Sequence, residues 1–232
     1  MDADESGDLT AKYITSPSSS AITLLMPSRF SGATVTLVVG DSEAILCAHE
    51  SLLKQNSAFF RTALDKDWKE RKTREITLPD DEVTIVVGYL EWLYCSKLTT
   101  PKDDEKNYDH HTGYVWLTKA YIFGDKVQDD AFCDEIISNI ARLMDTPING
   151  MRYYPTCEAL QLIYSSTPKH SPIRQMMVSI LAARATPAIL GRDFLSYPQE
   201  FLLELLLEMS ARRPQLKVRS AYDMRQQWFK KV

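Results

Sequence analysis

The sequence predicts an α+β fold, in which a small sheet is covered by a helical cluster and followed by an all-helical C-terminal extension. Two runs of β-branched and aliphatic residues, 34–40 and 43–48, meet at a Gly-Asp-Ser turn, as expected for a β-hairpin. From residue 82 onwards, apolar residues recur mainly at helical spacing. A sheet this small needs helices over one face to form a hydrophobic core.

The charge distribution argues against nucleic acid as a partner. The 232 residues carry a net charge of −4, so no global basic field is present. Residues 211–232 differ, because seven Lys or Arg and one acid give them +6 and leave −10 on the rest of the chain. We interpret this basic end as an amphipathic helix with Trp228 and Phe229 packed inward.

The cysteines indicate a reducing compartment. Cys47, Cys95, Cys133 and Cys157 form no CxxC pair, and three lie in apolar segments, where a free cysteine behaves as a small hydrophobic residue. We therefore expect no disulfide, metal or cofactor, and a cytoplasmic and/or nuclear location. The acidic start does not suit a signal peptide, and the short run FLLELLLEM contains two glutamates and cannot span a bilayer.

The first segments of the chain predict a tail and then a set of short elements. Residues 1–25 are mostly polar and Ser-rich, which predicts a disordered tail, although ITLLMPSRF (22–30) is apolar enough to form a short packing element. After the hairpin, HESLLKQN and SAFFRTALD predict two short helices, with Ser57 as N-cap of the second. Residues 74–80 predict a strand with Ile76 and Leu78 on one face.

Residues 82–98 predict a long helix. Their apolar residues recur at helical spacing, and the β-branched run at 83–87 is followed by too long a stretch without a turn to be a strand. Asp80 and Asp81 are expected to cap this helix and to favour the positive end of its dipole.

The remaining chain predicts a polar insert and a series of helices. Residues 99–113 are expected to form a surface loop, followed by two helices that meet near Gly124-Asp125. Further helices are expected after Pro155, at Pro172 and from Ser196, whose spacing to Gln199 matches a capping box.

Several motifs in this order resemble a BTB/POZ domain of the fungal type. The similar features are the strand pair, His49, a helix with Leu52-Leu53, the Ser-x-Phe-Phe motif, a strand ending in Leu-Pro-Asp and a helix ending in Leu-Tyr. The residues that carry this structural signature are His49, Leu53, Ser57, Phe59, Phe60, Leu78, Pro79 and Tyr94. The resemblance implies a BTB/POZ domain over residues 26–144, with the helical region and its basic end at 145–232.

The resemblance also implies partners. BTB domains self-associate, so a homodimer is expected through residues 22–38, although Thr34 stands where the family usually has an acid. BTB adaptors of cullin-RING ubiquitin ligases carry an apolar residue, any residue and then Glu after the Phe-Phe helix, and Trp68-Lys69-Glu70 fits that pattern. An adaptor would also hold a substrate protein, which the sequence does not identify. An alternative interpretation of Trp68 is a side chain folded over the edge of the core.

The resemblance implies no catalytic activity, and the sequence holds no GxGxxG, GxxxxGK[ST], GxSxG or HExxH motif. His49 is interpreted as a half-buried residue whose ring bonds the backbone at a strand-to-helix turn. His110-His111 and Asp109 could bind a metal, but a solvated loop is the preferred interpretation. The alternative function is a nuclear BTB regulator of transcription or chromatin, which only the basic end suggests.

Overall fold

The structure is a computed structural model that describes residues 32–65, 72–99, 110–147, 150–184, 186, 190 and 194–213. The elements follow in the order β1 (Thr34–Val39), β2 (Ala44–His49), α1 (Glu50–Asn56), α2 (Ala58–Asp65), β3 (Glu75–Leu78), α3 (Val83–Cys95), α4 (His110–Val127), α5 (Asp130–Asp145), α6 (Cys157–Ser166), α7 (Pro172–Arg184), a short 3₁₀ helix (Phe194–Ser196) and α8 (Gln199–Ala211). The expected disordered tail, the packing element at 22–30 and the basic segment from residue 214 lie outside the described residues.

The sheet has three strands in the order β2-β1-β3. β1 runs antiparallel to β2, with Thr34 opposite His49, and parallel to β3. The hairpin prediction is therefore confirmed, and Ile76 and Leu78 do share the buried face of β3. The core side of the sheet is formed by alternate residues that are all buried, namely Val35, Leu37, Val39, Ile76 and Leu78.

Ser57 separates α1 from α2, as its capping role predicts. Its backbone N–H donates to the Leu53 carbonyl at 3.0 Å and ends α1, while its Oγ accepts from the Phe60 N–H at 3.1 Å and begins α2. The same Oγ donates to the Val127 carbonyl at 2.5 Å, so this short helical pair is also tied to the end of α4.

The helix predicted over 82–98 is confirmed as α3, but its predicted caps are wrong. Glu82 occupies the N-cap position and makes no side-chain capping bond. The Asp81 N–H instead donates to the Leu78 carbonyl at 3.4 Å, and its carboxylate accepts from Lys126 Nζ at 2.6 Å. Contacts outside the helix therefore engage the residue that local sequence suggested as a cap.

Helices α4 and α5 meet later than expected. α4 continues through Gly124 to Val127, so the joint lies at Gln128-Asp129. A Cβ atom at position 124 would lie 2.8 Å from Cys133 Sγ, which shows that glycine there permits close packing of α5 rather than a turn. α4 also begins at His110, so residues 110–113 are helical and not part of the predicted loop.

The C-terminal extension is helical, as predicted. Thr156 caps α6 by accepting from the Ala159 N–H at 3.4 Å, and α7 begins at Pro172. The capping box predicted at Ser196 is wrong, because Ser196 ends the 3₁₀ helix and Pro198 takes the N-cap position of α8.

Arg174 is the buried charge at the centre of this extension. Its guanidinium lies 4.3 Å from the centre of the Tyr164 ring and donates to the carbonyls of Tyr164 and Thr167 at 2.7 and 2.5 Å. It also pairs with Glu200 at 2.9 Å. A buried charge that makes several hydrogen bonds in this way fixes the relative positions of α6, α7 and α8.

Candidate interaction site

The segment that carries Trp68 and Glu70 begins and ends beside one charged cluster. Lys54 on α1 binds Asp65, the last residue of α2, and Glu50 on α1 binds Arg74, which precedes β3, at 3.2 Å. Lys54 also lies 3.5 Å from Glu50, so α1 links both flanks of residues 66–71. The hydrogen bond to Asp65 is the main cause that raises the pKa of Lys54 above its usual value.

Backbone contacts also fix the chain at Arg74, on the C-terminal side of residues 66–71. Arg74 adopts a φ of +54°, in the left-handed region, and its carbonyl accepts from the Thr36 N–H of β1 at 2.8 Å. Trp68 and Glu70 themselves lie outside the described residues. The structure thus defines where their segment leaves and re-enters the domain, at Asp65 and Lys72.

The signature residues named from the sequence fall into two groups, a set in or near the hydrophobic core and the pair His49 and Tyr94. Most belong to the hydrophobic core or its supports: Leu53, Ser57, Phe60 and Leu78 are buried, whereas Phe59 is half-buried and Pro79 is exposed. The Phe59 and Phe60 rings make an edge contact, with centroids 5.2 Å apart.

His49 and Tyr94 bind each other, which the sequence did not suggest. The His49 backbone N–H donates to Tyr94 Oη at 2.9 Å, and His49 Nδ1 lies 2.6 Å from the same oxygen. His49 Nδ1 therefore contacts a side-chain hydroxyl that lies 45 residues away along the chain. This contact joins the end of β2 to the end of α3 and gives His49 a structural role.

These elements agree with a comparison against known families. Residues 27–112 match the family model described as BTB/POZ domain. The chain contains a BTB/POZ domain. No curated protein matches it. BTB/POZ domains are protein-interaction modules that commonly self-associate and bind other proteins, so this chain carries such a module.

A buried polar contact in the BTB/POZ protein was missed by sequence reasoning. Asp129 caps α5 by accepting from the Phe132 N–H at 3.0 Å, and its other oxygen accepts from Tyr89 Oη at 2.9 Å. Burial raises the pKa of Asp129 above its usual value, although both hydrogen bonds oppose this. An aspartate before an apolar helical run was a usable capping signal, but nothing local indicated Tyr89.

The other candidate ligands do not come together in the described part of the chain. His111 lies on α4, not in a loop, where Nδ1 is 3.0 Å from Thr156 Oγ1 and Nε2 is 3.0 Å from Glu158. Within the described ranges, no three His, Cys, Asp or Glu side chains are arranged to hold a metal ion. Asp109 lies outside those ranges.

The four cysteines of the BTB/POZ protein lie in different environments. All four cysteines are free, but Cys47 and Cys95 are exposed, because Cys47 occupies the outer face of β2 and Cys95 the last turn of α3. The expectation that three cysteines would behave as buried hydrophobic residues therefore holds only for Cys133. Among the helices described, none is both long and apolar enough to cross a membrane.

Proposed function

We propose that this BTB/POZ protein recruits a cullin scaffold and acts as a substrate adaptor of a cullin-RING ubiquitin ligase. The observation that carries the proposal is the position of the Trp68-Lys69-Glu70 pattern. It lies in a six-residue segment, 66–71, whose two flanks are both held by charged residues of α1.

The residue types suit an interface. A tryptophan in a charged stretch is a strong candidate for an interface anchor, because Trp is enriched among the residues that contribute most binding energy. Such an anchor contributes about 2–4 kcal/mol in a standard interface of about 800 Å² per partner. Glu70 would lie at the rim, where a charge mainly steers association with a basic surface.

The test is a binding titration of the full chain against the purified N-terminal region of a cullin. Trp68→Ala should weaken binding by about thirtyfold or more, mostly through faster dissociation. Glu70→Lys should slow association and reduce the affinity lost on adding salt.

Matched controls separate the anchor from general surface effects. Leu195→Ala removes an apolar side chain that is 95% exposed elsewhere, and Glu91→Lys reverses an exposed charge on α3. Both should bind as the wild type does, and circular dichroism should show that all variants are folded. Wild-type chain that fails to bind any cullin would eliminate the adaptor role, and loss of folding in Trp68→Ala would favour the core-edge interpretation.

We also propose that the domain self-associates through residues 22–38 and resides in the cytoplasm and/or nucleus. The described part of this segment includes β1, where Thr34 is exposed at the start of the strand. The exposed side chain of Ile45 lies opposite Val38 on the outer face of the sheet and offers apolar area nearby. Light scattering should show a dimer at high micromolar concentration, and a clean monomer would contradict this.

A further inference from the structure

α8 is apolar on two opposite faces. Phe201 and Leu205 are buried against the rest of the extension, while Leu203, Leu206 and Leu207 are 57%, 65% and 61% exposed. Spacings of three and four residues place these three leucines on one stripe, opposite the buried face. Single exposed leucines are ordinary, but a helix with apolar stripes on two opposite faces is typically covered on both of them.

The exposed stripe continues into a groove. Leu207 lines it together with Val178 of α7 and Ala211, and Glu204 and Glu208 stand among the polar lining residues. The groove has a volume of about 560 Å³, which is a size that side chains of another helix can occupy. Arg174 and His170 also line the groove, but Arg174 is paired with Glu200, and Glu208 is paired with Arg212 at 2.8 Å. The apolar floor and Glu204 favour an occupant that is apolar on one side and carries a basic group beside it.

We propose that residues 214–232 of the same chain pack on this stripe as an antiparallel amphipathic helix. These residues lie outside the described part of the chain, and their sequence matches the surface. Ala221, Met224 and Trp228 recur at helical spacing, and five Lys or Arg against one acid complement the glutamates of α8.

Chain geometry favours this intramolecular occupant over a second copy. Arg212 is the C-cap of α8, and Pro214 follows two residues later, where proline commonly ends one helix and can begin the next. Short connections make consecutive helices antiparallel neighbours. As a helix, the 19 residues would span about 28 Å. This is enough to cover α8, which is about 20 Å long. Covalent linkage also gives the segment a high effective concentration at the stripe.

One consequence concerns the basic residues. A segment anchored by its apolar side on α8 is part of the folded extension and not a free basic arm. The basic end would then support the packing of the C-terminal region, which removes the main sequence argument for nucleic acid binding.

The test is photo-crosslinking of the full chain. A benzoylphenylalanine placed by Leu206→Bpa should form crosslinks within one chain to residues 214–232, read by mass spectrometry. The control Ser138→Bpa, at an exposed position of α5, should not crosslink to that segment. Adding Trp228→Glu should lower the crosslink yield at position 206 by about tenfold or more.

Each outcome decides the proposal. Intramolecular crosslinks that fall with Trp228→Glu support it. Crosslinks between two chains would overturn it in favour of self-association through α8, and crosslinks at position 206 that never reach residues 214–232 would overturn it outright. A dimer mediated by residues 22–38 would not change the intramolecular product, so the result does not depend on the proposed self-association.

Discussion

Removing the buried carboxylate of Asp129 should destabilise the domain far more than neutralising it. Asp129 is buried at the joint between α4 and α5, where it caps α5 and accepts the Tyr89 hydroxyl. Asp129→Ala loses the cap, which costs about 1 kcal/mol. It also leaves the buried Tyr89 hydroxyl without its acceptor, which costs about 1–3 kcal/mol more.

Asp129→Asn provides the matched comparison. Its side-chain oxygen can still accept from the Phe132 N–H, and its amide can donate to the Tyr89 oxygen. The Tyr89 O–H still loses its acceptor, so a loss of about 1 kcal/mol is expected, smaller than that of Asp129→Ala. For a chain of this size, about 1 kcal/mol corresponds to about 2–4 °C in Tm, so a loss of about 2–4 kcal/mol in Asp129→Ala should lower Tm by about 4–16 °C. Thermal unfolding followed by circular dichroism measures both.

The pH dependence of the stability difference between wild type and Asp129→Asn provides a second test. Because burial raises the pKa of Asp129 above 3.8, the folded chain binds this proton more tightly than the unfolded chain does. The contribution of Asp129 to stability therefore falls as pH rises from 3.8 through the raised native value, and is constant above it. The advantage of wild type over Asp129→Asn should grow as pH is lowered from 7 towards 3.8.

Urea titrations of both proteins across that range measure this difference, and the other carboxylates cancel in the comparison. An Asp129→Asn protein that melts as low as Asp129→Ala would refute the reasoning, because the charge itself would then be the stabilising feature. An Asp129→Ala protein with a Tm within a degree or two of wild type would show that the Asp129 contacts at the α4–α5 joint contribute little to stability.

Two further changes test the core and the link between sheet and helix. Phe60→Ala should cost about 3–5 kcal/mol in urea unfolding, because Phe60 is fully buried, and half-buried Phe59→Ala should cost clearly less; equal losses would contradict this ranking. Tyr94→Phe should cost about 1–2 kcal/mol, because His49 loses its hydroxyl partner. Combined with His49→Ala, it should cost less than the sum of the two single changes, whereas additivity within about 0.5 kcal/mol would show that the two residues act independently.

Local patterns predicted the elements whose causes are local. The β-branched residues on both sides of Gly40 predicted the hairpin, and Gly40 does adopt a φ of +68° in its turn. Ser57 predicted a helix start because its bond to Phe60 lies within one turn. α3 was predicted in spite of its β-branched start, since helical spacing over 13 residues outweighs a weak propensity.

The errors arise where a distant residue changes a local preference. Asp81 was predicted to cap α3, but Lys126 on α4 binds its carboxylate. Gly124 was predicted to lie near the joint between α4 and α5, yet it lies inside α4 and allows α5 to approach closely. Contacts between residues far apart in sequence were not visible to reasoning based on spacing.

The candidate interaction site was also only partly predictable from the sequence. The Trp68-Lys69-Glu70 pattern could be found from the sequence, because it is three consecutive residues after a recognised helix. The charged cluster that holds its flanks could not, since Lys54 and Glu50 bind residues 11 and 24 positions away. Those ion pairs are partly exposed, so each contributes little stability, and their value lies in fixing where the segment begins and ends.

The adaptor proposal implies that the binding residues are separate from the residues that hold the fold. The hydrogen bonds of Ser57, Tyr89 and Asp129 join α2, α3 and the α4–α5 joint inside the domain. The proposed function places Trp68 and Glu70 at a partner interface and outside this framework. A change at Trp68 should therefore alter partner binding without lowering Tm, whereas a change at Asp129 should lower Tm and affect binding only as the fold is lost. Measuring Tm and cullin affinity on the same two variants tests this separation directly, and a parallel loss of both at Trp68 would show that the segment belongs to the core.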